Sequence, residues 1–168
     1  MNQDMNRQPE GRLLCHHYLF HRLIQEDIAS FLQWMHWESP DSLFKLYQFS
    51  QDSPQIQLIT CIDSHHRAIG LLTVYPPLLT VLKSQYKLTE GEYYLENLQL
   101  YSVQSWDVRD LAHLLLCYMR YLINELQCHT LYWEIRREDQ QFRTAAELAG
   151  FTRVLSEERL FVLYAYAG

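Results

Sequence analysis

The stretch EYYLENLQLYSVQSWDVRDLAHLLLCYMRYLINEL, Glu92 to Leu126, decides how the chain is read. From Glu92 to Val103 it is rich in Tyr, Leu and Val, with two differently populated faces, as in a long strand. From Val108 to Leu126 the apolar residues Leu111, Leu114, Leu115, Tyr118, Leu122 and Leu126 recur at three and four positions. That spacing predicts an amphipathic helix with one broad apolar stripe. The short run LYWEI, Leu131 to Ile135, reads as a strand beyond the helix, so strands and helices share one mixed α/β architecture.

Downstream, a helix is expected from about Gln140 to Leu148, with Gly150 as its C-terminal cap. Two strands close the chain, Thr152 to Leu155 and the strongly apolar Arg159 to Tyr166 (RLFVLYAY). That last strand is expected at the sheet edge, where it could pair two copies of the chain as a homodimer.

Upstream, His17 to Leu23 (HYLFHRL) alternates and reads as a first strand. Glu26 and Asp27 open a helix carrying Ile28, Phe31, Leu32 and Met35, widened by Trp34 and Trp37 and stopped at Ser39-Pro40. A second helical piece spans Asp41 to Phe49. Gln55 to Ile62 and Ala68 to Tyr75 are rich in β-branched residues around a polar turn, which predicts adjacent antiparallel strands. Leu78 to Thr89 reads as irregular or partly helical, without bounds.

At 168 residues one hydrophobic core is sufficient, and 48% apolar against 20% charged residues can both fill a core and wet a surface. The expected organisation is a polar, disordered leader over residues 1–11 and a single domain over 12–168. A net charge of -6 gives no pull toward phosphate backbones or anionic lipid, so neither nucleic acid nor membrane is an expected partner. No run approaches the roughly 20 apolar residues that span a bilayer, and Met1 to Gly11 lacks the apolar core of a signal peptide. The expected location is the cytoplasm. Cys15, Cys61, Cys117 and Cys128 show no C-x-x-C pairing and read as buried thiols. His16, His17, His21, His65 and His66 show no pattern of zinc ligands, and no metal site is expected.

The order of elements from His17 to Tyr166, together with the Gly150-Phe151 pair in AELAGFTRV (Ala146 to Val154), resembles the GNAT superfamily of N-acyltransferases. The resemblance implies a single-domain fold with a mixed central sheet of about six to seven strands and about four helices. In that family a loop patterned Gln/Arg-x-x-Gly-x-Gly/Ala cradles the CoA pyrophosphate at a helix N-terminus. The equivalent stretch is Asp107-Val108-Arg109-Asp110-Leu111-Ala112, in which Ala112 fits, Asp107 replaces the Arg or Gln, and Asp110 replaces a glycine. Two carboxylates suit the helix dipole but compete with a pyrophosphate for the same N–H groups, and both also read as ordinary helix caps.

The resemblance further implies acetyl-CoA, or another acyl-CoA, as co-substrate. Its cofactor contacts would be Leu100, Ser102, Val103, Val108, Arg109, Asp110, Leu111, Ala112 and Asp139, the last standing where family members often have Asn. Spacing from Asp107 places the family's general-base Glu at Glu96, which would take a proton from an attacking ammonium through water. The usual acidic Tyr is replaced by Ala146, leaving Tyr101, Tyr118 and Tyr132 as unranked sources of a hydroxyl. Trp106 beside the loop reads as a packing residue, an adenine lid or an anchor for a partner. The implied activity is acetyl transfer to an amine of unknown identity by direct attack on the thioester. The alternative is a non-catalytic, protein-binding or regulatory module on the same fold.

Overall fold

The computed structural model describes residues 7–8, 12–15, 17–35, 40–53, 56–76, 90–154 and 161–168. The chain divides into two compact units, Met1–Val74 with Asn97–Val103, and Tyr75–Glu96 with Gln104–Gly168. Nine strands and four α-helices occur among the described residues. The long strand β6 (Glu92–Leu100) begins in the second unit and ends in the first.

In the first unit the strands are β1 (Arg7–Gln8), β2 (Arg12–Cys15), β3 (Tyr18–Arg22), β4 (Gln57–Ile62) and β5 (Ala68–Tyr75), whose last residue belongs to the second unit. They lie in sequence order and continue into the end of β6. The β1 to β5 pairings are antiparallel, as in Phe20↔Cys61 and Ile59↔Leu72. Residues Ala68 to Val74 of β5 are all buried. This explains why AIGLLTVY reads as a continuous apolar run instead of an alternating one, because a strand covered on both faces has no solvent side. Two helices cross between β3 and β4, α1 (Gln25–Leu32) and α2 (Pro40–Asp52). Ile28, Phe31 and Leu43 bring the apolar faces of these helices into the core with Phe20, Leu58 and Leu72.

Helix α1 starts where Ile24 N–H donates to the Asp27 carboxylate at 3.2 Å. Asp27 and His21 are both buried, with Oδ2 and Nδ1 3.7 Å apart. Burial pushes the Asp27 carboxyl above its ordinary value of 3.8, against the opposing pull of His21. Between 3.8 and the raised folded value, the native state therefore holds a proton that the unfolded state has lost, so this group's contribution to stability falls as pH rises through that window. Asp27→Asn keeps an acceptor for Ile24 and removes the titration. Urea unfolding of both proteins should show the stability of wild type relative to the variant declining as pH climbs above about 4. A difference that is flat with pH would exclude this role.

In the second unit the start of β6 is followed by α3 (Val108–Leu126), β7 (Thr130–Arg136), α4 (Gln140–Leu148), β8 (Thr152–Val154) and β9 (Phe161–Ala167), with strand order β6-β7-β9-β8. β6 and β7 are parallel, while β9 runs antiparallel to β7 and β8. Leu111, Leu114, Leu115, Tyr118 and Leu122 of α3 are buried with Leu95, Leu131, Trp133, Phe151 and Leu163. Trp133 meets Phe142 and Phe151 edge-on, at ring-centre distances of 5.7 and 6.0 Å. Helix α4 ends as its sequence predicts. Gly150 takes φ +99, and Phe151 N–H donates to Ala146 O at 2.9 Å. A Cβ there would meet only the Tyr166 ring at an ordinary 3.5 Å, so the obstacle to a side chain is the backbone. Gly150→Ala should cost about 1–2 kcal/mol in chemical denaturation, and a neutral substitution would show that the turn relaxes freely.

Three expectations change. The C-terminal strand is not an edge, because β9 pairs with β7 on one side and β8 on the other, for example Leu163 with both Glu134 and Val154. Homodimer formation through that strand is thereby excluded over the paired residues. The strand expected to reach Val103 stops at Leu100, where Ser102 takes φ +47 and a 3-10 turn occupies Val103–Ser105. Of the cysteines, Cys61 and Cys128 are buried free thiols that burial pushes above their ordinary range, Cys128 to about 12. Cys15 and Cys117, also buried, are disulfide-bonded. Local spacing in the sequence carries no signal of such bonding. Arg7 and Gln8, placed within the expected leader, form β1, whereas Trp37 and the Leu78 to Thr89 segment lie outside the described residues.

Candidate functional site

The second unit holds a break in a parallel ladder. β6 and β7 are in register from Glu92↔Thr130 to Leu95↔Trp133, and the pairing stops there although β7 continues to Arg136 and β6 runs on past Glu96. At Glu96 and Glu134 the backbone groups that would extend the ladder do not engage one another. β7 remains fully paired on its other side, with Glu134↔Leu163 through Arg136↔Phe161. The second unit therefore contains a strand paired along one edge whose ladder with β6 ends part-way along the other. Backbone groups at such a break can orient an extended ligand or polarise a carbonyl.

Glu96 is the first residue of β6 after the break, and its side chain is exposed. Among the described residues it forms no ion pair. Nearby, Tyr75 at the end of β5 is half-buried. Burial raises its phenol above the ordinary range, and the Glu96 charge raises it further. Sequence reasoning gives no sign of Tyr75. The fold brings it within electrostatic reach of Glu96, a relation no short motif carries. Tyr101, Tyr118 and Tyr132 are not equivalent to it. Tyr118 is buried on α3, Tyr132 is half-buried on β7, and Tyr101 belongs to the first unit.

At the start of α3, Asp107 is the N-cap in extended conformation, and its carboxylate accepts the Arg109 N–H at 2.6 Å. Leu111 N–H closes the first helical bond to Asp107 O at 2.9 Å. The cap thus takes one N–H that the phosphate-binding pattern would offer, while the N–H groups of Val108 and Asp110 are not taken by it. Asp110 and Arg109 are exposed, and Leu111 and Ala112 are buried in the helix. Trp106 is half-buried and its carbonyl accepts from the Gln141 amide at 2.9 Å, tying the α3 loop to α4. Asp139 caps α4, accepting Phe142 N–H at 3.3 Å. In the first unit, Leu100 is buried at the end of β6, and Ser102 and Val103 follow in the turn.

Among the described residues, no group of three or more His, Cys, Asp or Glu is placed to hold a metal ion. No helix among them is long and apolar enough to cross a membrane.

No protein-family model matches the chain. No curated protein matches it in sequence. Solved structures do match in fold. An uncharacterized protein from Bacillus halodurans shares 15% identity over 93% of this chain and 89% of its own, with TM-score 0.72. AAC(6')-Ib in complex with ribostamycin and coenzyme A shares 12% identity over 90% of this chain and 93% of its own, with TM-score 0.71. A point mutant of the spermidine N-acetyltransferase SpeG from Vibrio cholerae shares 14% identity over 91% of this chain and 95% of its own, with TM-score 0.67. At such identities the likeness is one of architecture, and it establishes for this chain the mixed α/β fold of the GNAT N-acyltransferases.

Proposed function

We propose that the protein is an acyl-CoA-dependent N-acyltransferase that moves an acetyl group to an amine. The observation that carries this reading is the parallel β6–β7 ladder that stops at Leu95↔Trp133 while its strands continue. Bound acyl-CoA supplies an activated thioester. The amine nitrogen bonds to the thioester carbonyl carbon, the carbon–sulfur bond breaks, and the sulfur leaves as CoA thiolate, which takes up the second proton the nitrogen loses as the amide forms. Glu96 takes the proton lost by the attacking ammonium through a water molecule. Val108, Arg109, Asp110, Leu111 and Ala112 form the pyrophosphate end, and Asp139 supplies a polar contact. AAC(6')-Ib with ribostamycin and the spermidine N-acetyltransferase SpeG support an amine acceptor at the level of class.

The Asp107 cap supports a weaker hold on phosphate than a glycine-rich loop gives, because its carboxylate both occupies the Arg109 N–H and adds negative charge. Acetyl-CoA should raise the melting temperature in a concentration-dependent way, as any ligand selective for the folded state must. Asp107→Ser keeps a capping oxygen without the charge. Together with Asp110→Gly, it should tighten acetyl-CoA binding about ten-fold by calorimetry. The same observation favours the second reading, a non-catalytic module that no longer binds phosphate. No thermal shift with acetyl-, succinyl- or longer acyl-CoA, in wild type or the double variant, would leave that reading in place of the enzyme.

A further inference from the structure

The first unit contains a cavity of about 260 Å³, lined by Ser30, Gln33 and Trp34 of the α1 end, by Arg67, Ala68 and Ile69, and by Tyr101. Its walls are fixed by bonds that do not depend on a ligand. The Trp34 indole N–H donates to Ala68 O at 2.8 Å, so the ring cannot swing away from the opening. The Tyr101 ring stands edge to face against it, with centres 5.7 Å apart and planes at 74°. Two aromatic surfaces at nearly a right angle form a corner in which a planar ring can stack on one and present its edge to the other.

The polar groups around this corner are mostly donors. Arg67 lies over Tyr101, with its guanidinium carbon 5.9 Å from the ring centre. It is anchored from behind by Asp63, whose Oδ2 accepts Nε at 3.0 Å and Nη2 at 2.8 Å. The other Asp63 oxygen accepts the N–H groups of His65 and Arg67, each at 2.9 Å. Burial alone would raise the Asp63 carboxyl, but these bonds hold it below its ordinary range. That carboxylate is therefore committed to the turn and is not among the cavity-lining residues. The Arg67 Nη1 amine is not used by Asp63. Ser30 Oγ accepts the Ala68 N–H at 3.3 Å, which leaves its hydroxyl proton to donate, and Gln33 is exposed at the rim.

We propose that this cavity binds a small planar aromatic carboxylate, its ring in the Trp34–Tyr101 corner and its carboxylate on Arg67 and Ser30. The lining carries one formal charge, and it is positive, so an ammonium ligand is disfavoured and the site is distinct in chemistry from an amine-acceptor site. The size suits a single or fused ring, just below the usual range for drug-sized ligands.

Indole-3-carboxylate, benzoate and the neutral benzamide should be titrated into ¹⁵N-labelled full-length protein. The expected result is a saturable shift of the Trp34 Nε1–H and of the Ala68 and Ile69 amides with either carboxylate. Benzamide should bind about ten-fold more weakly than benzoate. Arg67→Gln, on an exposed side chain, should bring benzoate down to the benzamide level while leaving the spectrum otherwise that of a folded protein. Gln33→Leu provides a second check, weakening benzoate less than Arg67→Gln. Equal binding of benzoate and benzamide, unchanged preference in Arg67→Gln, or no saturable shift at the Trp34 indole would each overturn the proposal. None of these results depends on whether acyl-CoA binds.

Discussion

On the proposed mechanism, Glu96→Gln should lower kcat/KM for acetyl transfer to a primary amine by about 10²- to 10³-fold, the loss expected when a positioned general base is removed. Because the side chain is exposed and forms no ion pair among the described residues, stability should move by no more than about 0.5 kcal/mol. The combination separates chemistry from folding. The loss should fall on kcat rather than on acetyl-CoA affinity. A spectroscopic readout accompanies it. The Glu96 charge contributes to holding the Tyr75 phenol high, so ultraviolet titration of the variant should find that phenol ionising at lower pH than in wild type. Unchanged kcat/KM would remove Glu96 from the mechanism even if the Tyr75 shift appeared, since the shift needs only proximity.

Leu114→Ala is expected to have the largest effect on folding. Leu114 is 0% exposed on α3, within a cluster that includes Leu111, Leu115, Tyr118 and Leu122. Truncating a leucine in such a setting removes its transfer energy and leaves a cavity, about 2–5 kcal/mol together, against a total near 5–15 kcal/mol for a domain. Leu148→Ala on α4 is the matched control, because the same truncation at a side chain 58% exposed should change stability by less than about 0.5 kcal/mol. Urea unfolding at constant slope would measure both. A loss under about 1 kcal/mol at Leu114 would mean that the α3 stripe does not pack as described.

Helices were the most legible part of the sequence. Val108 to Leu126 and Gln140 to Leu148 end where their periodicity and caps predict, because a capping Asp107 or a left-handed Gly150 acts within a few residues of the boundary it sets. Strand existence was nearly as clear, and Ala68 to Tyr75 agrees residue for residue. Strand neighbourhood was not. RLFVLYAY looks like an edge because it is last in the chain, yet β8 folds back outside it, and only hydrogen-bond partners reveal that. The same limit hid Tyr75 beside Glu96 and the disulfide bonding of Cys15 and Cys117. At the candidate site, the family resemblance pointed to Glu96 and the Asp107 to Ala112 loop as expectations. It left open whether Asp107 and Asp110 act as caps, and the geometry shows Asp107, and also Asp139, each accepting a backbone N–H of its own helix.

The interleaving of the two units in the chain has a consequence for biosynthesis. The first unit is made from Met1–Val74 and Asn97–Val103, with Tyr75–Glu96 of the second unit intervening. A nascent chain that has emerged only as far as Val74 lacks the closing strand segment of its own first unit. At about 5–20 residues per second, the ribosome needs a few more seconds to supply it. During that interval the edge of the buried, apolar β5 has no β6 beside it, and such an edge is prone to pair with other chains. Chaperone demand should accordingly be concentrated in that window of synthesis and subside once Val103 has cleared the exit tunnel.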